Sequence, residues 1–536
     1  MNRTLRSFLI AVALFGLAGG RPADAAPRAS QPNILVIVAD DMGFSDAGCY
    51  GGEIQTPNLD KLARGGLRFT QFYNTARCWP SRACILTGYY AQQINRDELP
   101  GGGPIGRRPA WARLLPELLR PLGYRSYHSG KWHVDGTALE GGFDVDYDNT
   151  DTDHHFLPAG RKHAGEYAAT AEADEAIGQL DGHVAGYAGR PFFQYLCFTE
   201  PHFPLQAPQA DIDLYRTRYR AGWDVLRQER FQRMTSLGIV NCGLGQFDPG
   251  IWPGWNMSQE ELVRRIGPGE VGRAVAWDTL TAEQRQFQPI KMAIHAAMIH
   301  RVDAEIGRVV EHLKAIGAWE DTAIFFVSDN GASAELMIRG GGHDKTVPPG
   351  SAATFLCLGP PWASAANTPL RLHKSYVHEG GISTPLIVHW PRGIPARGEL
   401  RHDPGHLIDL APTILELAGG RWPVAYRGNA APIPPGKSLV PALAKDGSVT
   451  HDYLWWYHAK NRAIRVGDWK LVAVGKSPWE LYDLAADRCE SHNLAPEHPE
   501  KVKQLEQAWT ARAEEFRALA KDAPPGAAKG KARKDR

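Results

Sequence analysis

A cysteine opens the segment Cys78-Trp79-Pro80-Ser81-Arg82-Ala83-Cys84-Ile85-Leu86-Thr87-Gly88, with a proline and an arginine following at short fixed spacing. Proline suits the first turn of a helix, where its missing N–H breaks no bond. Residue 78 is therefore expected at a helix N-terminus, where unpaired amides and the helix dipole stabilise an anion. Arg82 lies one turn further on and can hold a negative charge there. Two acidic pairs, Asp40-Asp41 and Asp329-Asn330, offer oxygen ligands without a thiolate or an imidazole. Such a set favours a hard cation such as calcium. Each feature also has a plainer reading. A cysteine can fill a core, an arginine can be solvated, and an Asp-Asp at a strand end can cap a helix or face water in a loop.

The elements around these residues suggest how they meet. Four apolar runs end abruptly in polar residues: Asn33–Ala39 in Asp40-Asp41, Tyr124–Gly130 in Lys131-Trp132-His133, Pro191–Phe198 in Thr199-Glu200-Pro201-His202, and Ala323–Val327 in Ser328-Asp329-Asn330. Helical patterns lie between them, which is how a parallel sheet wrapped by helices reads in sequence. Ligands of open α/β sheets sit beyond the carboxyl ends of the strands, so the four tails are expected to converge on one site. One helix is expected to start at Thr56-Pro57 and close near Gly65-Gly66, and a long amphipathic one to run from about 286 to 316. The stretch 211–284 is rich in Gly, Pro and Trp with poor periodicity, and reads as an insertion of short helices and loops. After about residue 440, Tyr453-Leu-Trp-Trp-Tyr, Arg462-Ala-Ile-Arg and Trp469-Lys-Leu-Val-Ala-Val predict a small antiparallel sheet, followed by a helix over about 499–519. The expected division is a signal peptide over 1–25, a main domain over 31–440, a small α+β domain over 441–520 and a disordered tail over 521–536.

With 536 residues, 43% hydrophobic and 22% charged, the chain can bury a large core and a smaller appended unit. Lys plus Arg (60) nearly balances Asp plus Glu (59), so no global field favours nucleic acid or an anionic membrane surface, and an anionic ligand must be gripped locally. Arg3 and Arg6, an apolar stretch from Phe8 to about Leu17 and Ala23-Asp24-Ala25 form an export signal pattern, which implies a periplasmic or secreted protein. The stretch falls short of the roughly 20 apolar residues of a membrane anchor. Seven cysteines without a C-x-x-C pair argue against a zinc ribbon or a dense disulfide scaffold. Cys197 and Cys357, inside apolar runs, read as core residues. Neither disulfide pairing nor oligomeric state is legible.

The segment from Cys78 to Gly88 resembles the signature C-x-P-S-R-x-x-x-L-T-G of type I, formylglycine-dependent sulfatases at every specified position. The resemblance, most nearly to bacterial arylsulfatases, runs from about residue 32 to 515. It includes Asn33–Asp41, Gly51–Asp60 and Gly467-Asp468-Trp469-Lys470. It implies an alkaline-phosphatase-like α/β fold, with a mixed or parallel central sheet flanked by helices and a smaller C-terminal antiparallel sheet plus helix. It further implies that a separate maturation enzyme oxidises Cys78 to formylglycine, whose hydrate is a geminal diol, and that Asp40, Asp41, Asp329, Asn330 and residue 78 bind one Ca2+. Lys131, His133, His202 and Lys374, the last five residues before Glu379-Gly380-Gly381, match basic positions lining the family's sulfate pocket together with Arg82.

By the same resemblance, one diol oxygen attacks sulfur and displaces the alcohol, His202 with Lys374 assists the leaving oxygen, and His133 then takes the proton that frees sulfate. Departures stand at His378, where many relatives carry an aromatic, and at Ser383, where many carry an arginine. The implied substrate is an aryl or carbohydrate sulfate ester. Trp455, Trp456, His458, Asn461 and Arg462 are candidates for the pocket rim, although core packing suits the two tryptophans better. Competing functions are a phosphatase or phosphodiesterase on the same fold, which would prefer Thr or Ser as nucleophile and histidine-rich zinc sites, and a non-catalytic binder of sulfated glycans.

Overall fold

Every residue of Asn33–Ala39 after the first is buried, because this strand lies in the middle of a sheet covered on both faces. The computed structural model describes residues 31–521 except 103–104, 151–152, 253–254, 341 and 427–428. The expected signal peptide and, beyond Lys521, the expected tail lie outside the described residues. The main sheet contains β1 (Asn33–Ala39), β2 (Leu67–Tyr73), β3 (Arg125–Gly130), β4 (Val145–Asp148), β5 (Phe192–Cys197), β6 (Thr322–Ser328), β7 (Ser383–His389), β8 (Glu399–Arg401) and β9 (Gly405–His406). Its order is β4-β3-β5-β1-β6-β7-β2-β8, with β9 also beside β2. The block from β4 to β6 is parallel, and β7 runs antiparallel to both β6 and β2.

Side chains alternate across this sheet as strand geometry requires. Leu35, Ile37 and Ala39 enter one core, and Ile34, Val36 and Val38 enter the other. Helices α1 (Pro57–Gly65), α2 (Cys78–Thr87), α3 (Ala168–Tyr187) and α4 (Ala282–Ala315) cover the sheet: α1, α3 and α4 contribute to the first core and α2 to the second. Thr281 and Gln284 close a reciprocal cap at the start of α4, as a Thr-x-x-Gln spacing allows. The expected insertion consists of short helices and loops, Gln209–Tyr215, Trp223–Ser236 and Gln259–Arg265 among them.

A four-stranded antiparallel sheet, Leu454–His458, Asn461–Val466, Trp469–Ala473 and Glu480–Asp483, follows, and helix α5 (Pro499–Lys521) packs on it. One face of this sheet (Trp455, Ile464, Leu471, Leu481) joins the second main core with Trp509 and Phe516 of α5. The other face (Leu454, Trp456, Ala463, Val472, Tyr482) buries Tyr73, Ala76, Val377 and Ile382, which flank Cys78 and Lys374 in sequence. Both tryptophans are thus core residues and do not rim a pocket. No helix among the described residues is long and apolar enough to cross a membrane.

Candidate active site

The parallel register sets the strand tails level. Val38 pairs with Cys197, Gly130 also pairs with Cys197, and Ala39 pairs with Ser328. Asp40, Lys131, the Thr199–His202 turn and Asp329 therefore leave the sheet at the same height, as the sequence pattern predicts. Gly130 (φ 104°) has to be glycine here, because a Cβ would stand 2.0 Å from the Cys197 carbonyl oxygen. A fifth tail comes from β2, which runs through Asn74–Arg77 into α2. Helix α2 begins at Cys78, Pro80 occupies its first turn, and Arg77 supplies no side-chain cap, so its N-terminus faces the site. Ser81 Oγ meets Thr75 Oγ1 at 2.7 Å and accepts from the Thr75 amide at 3.1 Å, fixing the turn that presents residue 78. The loop before β7 brings Lys374. Asp41, Ala76, His133 and Ser375 all take left-handed backbone angles (φ 71°, 63°, 49° and 75°), a cost of about 1–2 kcal/mol each that clusters where function demands a geometry.

Arg82, fully buried, links three tails. Its Nε and Nη2 reach Asp329 Oδ2 at 2.9 and 2.8 Å, Nη1 donates to the Lys131 carbonyl at 2.7 Å, and Nη2 lies 3.8 Å from Asp40 Oδ2. Lys131 Nζ donates to Asp40 Oδ2. Lys374 Nζ sits 2.6 and 2.8 Å from the two Asp41 oxygens, and Asn330 Nδ2 donates to Asp41 Oδ1 at 2.6 Å. His202 Nε2 is 3.8 Å from Asp41 Oδ2, while its Nδ1 faces the Phe203 carbonyl at 2.5 Å, which leaves Nε2 as the nitrogen turned to the site. His133 packs edge-on against Trp79 with ring centroids 5.9 Å apart, and its Nδ1 is buried without a partner. Of the site residues expected from sequence, Asp40, Asp41, Arg82, Lys131, His202, Asp329, Asn330 and Lys374 are thus tied together by these bonds and contacts; His133 joins through its packing on Trp79, and Cys78 stands at the head of the helix that carries Arg82.

The charges are arranged for anions and for a cation. Three carboxylates face three cationic side chains in a space closed to water, yet Asp40 Oδ1 and Asn330 Oδ1 remain buried with no hydrogen-bond partner. Burial and the adjacent Asp40 push Asp329 well above the ordinary carboxylate range despite Arg82. Orphaned oxygens and crowded carboxylates both fit a hard divalent cation, which would satisfy the first and neutralise the second. Asp40, Asp41 and His202 also present ligand atoms within 4.8 Å of one another, so an imidazole stands at the edge of the otherwise oxygen-only set. Burial, together with Lys131 and Arg82, holds His133 well below the usual imidazole range, and burial with Lys374 does the same to His202.

Several site neighbours escaped the sequence reading. Glu335 accepts from Arg77 at 2.7 Å and lies 3.7 Å from Lys374; burial would raise its carboxyl, but these two cations hold it at about 2. The Arg77 guanidinium lies 5.2 Å from the Trp79 ring and 4.4 Å from that of the exposed Trp255. Two of the candidate rim residues do lie nearby: His458 packs on Trp79 at 5.5 Å, and Asn461 donates to the Ser375 carbonyl at 2.7 Å. Of Glu335, Arg77 and Trp255, only Arg77, one position before Cys78, had a signal in its spacing.

The "Sulfatase" family model matches residues 32–420, and a model described as "N-sulphoglucosamine sulphohydrolase, C-terminal" matches 371–518. An uncharacterised sulfatase of Schizosaccharomyces pombe is 33% identical over 90% of this chain and 93% of its own. The arylsulfatase of Klebsiella aerogenes is 31% identical over 75% of this chain and 89% of its own. The crystal structure of Ps i-CgsB in complex with k-i-k-neocarrahexaose superposes with a TM-score of 0.61 at 24% identity, covering 90% of this chain and 93% of that one.

Proposed function

The chain belongs to the sulfatase family and hydrolyses sulfate esters, and we propose that it does so at the cluster headed by residue 78, with Cys78 matured to formylglycine and calcium bound by Asp40, Asp41, Asp329 and Asn330. The observation that carries this reading is the convergence of Arg82, Lys131 and Lys374, all buried, on the carboxylates around the free N-terminus of α2. Hydrated formylglycine supplies the nucleophilic oxygen and calcium supplies charge that polarises the sulfuryl group. The remaining work falls to the chain's own residues. Arg82 orients Asp329 and the Lys131 carbonyl, and the fixed, buried charges of Arg82, Lys131 and Lys374 hold the sulfuryl oxygens. His202, whose Nδ1–H is given to the Phe203 carbonyl, presents Nε2 beside Lys374 to the departing alcohol oxygen, and acts as the acid when it carries a second proton there. His133 takes the proton whose removal lets sulfate leave.

The alcohol meets a wall made by Trp79, Arg77 and the exposed Trp255, which suits the face of an aryl group or a sugar ring. The glycan in the Ps i-CgsB complex keeps a carbohydrate sulfate among the candidates. The N-terminal pattern supports export to the periplasm or beyond. Rates on nitrophenyl sulfate and nitrophenyl phosphate, followed by a screen of aryl, sugar and alkyl sulfates, test the substrate class. A higher kcat/KM for the sulfate is expected, and a preference for phosphate would favour a phosphatase on the same fold.

A further inference from the structure

Six cysteines are left once Cys78 is assigned to catalysis, and they do not share one environment. Cys84, Cys197 and Cys357 lie in the cores, where burial pushes each thiol up, and no second thiol is among the groups acting on them or on Cys49. Cys242 and Cys489 differ. Cys489, fully buried, places its Sγ 2.6 Å from the carbonyl oxygen of Gly243, the residue after Cys242. A Cβ on Gly245 would stand 3.5 Å from the Cys489 carbonyl, so the two backbones run side by side. Each thiol is also the leading influence on the ionisation of the other, and both are free thiols here.

We propose that Cys242 and Cys489 form a disulfide that ties the 211–284 insertion to the C-terminal sheet. Cys242 belongs to the insertion, and Cys489 stands between the last strand of that sheet and α5. The same junction already holds a chain of ion pairs: Asp248 accepts from Arg371 at 2.8 Å, and Arg371 reaches Glu480 at 2.6 Å. Arg371 in turn lies three residues before Lys374. The crosslink would therefore brace the segment that delivers a sulfate-binding lysine.

The order of the chemistry follows from exposure. Cys242, 8% exposed, is the reachable thiol, and the neighbouring Cys489 thiol together with Arg488 favours its thiolate. The oxidant is a disulfide, either a thiol oxidase of the exporting compartment or a small-molecule disulfide. Cys242 thiolate attacks one sulfur of that disulfide and releases one thiolate. Cys489, losing its proton, then attacks the Cys242 sulfur of the mixed disulfide and releases the second thiolate. The two electrons and two protons lost by the cysteines end on the two released thiols.

The test uses the full chain, incubated with glutathione disulfide or kept in reductant, and mapped by mass spectrometry without reduction. A linked pair of peptides containing Cys242 and Cys489, two hydrogens lighter than their sum, is expected. So is a loss of two titratable thiols and a rise in Tm of about 3–5 °C. Cys242→Ser and Cys489→Ser should each abolish the rise, and the double variant should lose nothing further. Two unlinked thiols after oxidation, or a link to another cysteine, would overturn the proposal. The crosslink rests on export for its oxidant in the cell, whereas glutathione disulfide supplies it in the tube. The state of residue 78 is read from another peptide of the same map, so failure of either idea is seen separately.

Discussion

Arg82 shows how a single residue can carry several links of the site, since its planar guanidinium bonds Asp329 through Nε and the Lys131 carbonyl through Nη1 while its charge faces Asp40. The roles proposed for the two histidines can be told apart by the leaving group. General acid catalysis contributes about 10²–10⁴-fold only where the departing oxygen needs the proton. His202→Ala should therefore slow hydrolysis of an alkyl or sugar sulfate far more than that of a nitrophenyl sulfate, whose leaving group is stable as an anion. His133→Ala should act on every substrate alike, giving a burst of alcohol followed by slow release of sulfate. Equal losses for His202→Ala on good and poor leaving groups, with chemistry rate-limiting, would reduce His202 to a sulfate-binding residue. The positions of these residues were legible because they follow strand ends, whereas the roles proposed for them come from the resemblance. Glu335 was not, because its contact with Arg77 spans 258 residues and nothing local marks it.

The elements that frame the site differ in how plainly they show in sequence. Strands β1, β3, β5 and β6 belong to the parallel block, and their tails end in the site residues. Strand β2 carries Arg68, Thr70 and Gln71 among its apolar residues, because it lies near the sheet edge, and its pattern is blurred. Strand β7 contains Pro385, which ordinarily argues against an inner strand. The proline is tolerated because the β2–β7 register shifts there: Leu386 pairs with Phe69, Thr384 with Phe72, and Pro385 falls in the irregularity. The C-terminal sheet was readable as a sheet, but its docking was not, since it depends on buried charges from distant segments. Lys470 Nζ reaches Glu379 at 2.8 Å and Glu490 at 2.7 Å, and Arg488 lies 3.3 Å from Glu379. Burial would raise the Glu379 carboxyl, but Lys470 and Arg488 outweigh it and hold it at about 2, against about 4.5 when unfolded. Its contribution to stability is thus present above pH 4.5 and is lost as pH falls towards 2. Glu379→Gln should cost about 3 kcal/mol at pH 7 by leaving buried cations short of a partner. The gap from wild type should shrink when urea unfolding is repeated near pH 3. A gap that stays constant over this range would show that the carboxylate's charge does not hold the sheet in place.

Across the whole molecule, two cores on opposite faces of one sheet leave the strand tails as the place where buried polar groups gather, and the second core runs on into the C-terminal sheet and α5. The oxygen ligands collected there predict one tightly held calcium, with magnesium as the nearest substitute. Metal analysis after dialysis should find it in proportion to activity, whereas stoichiometric zinc that tracks activity would contradict the ligand assignment. The near balance of charge over the chain agrees with an anion held by local donors and not by a global field. The proposed mechanism rests throughout on the side chain at the head of α2. Peptide mass analysis of residue 78, in protein produced with and without a maturation enzyme and assayed in parallel, tests that most directly. Activity should rise in step with the aldehyde form and vanish in Cys78→Ala; full activity in protein whose Cys78 is an unmodified thiol would contradict the account.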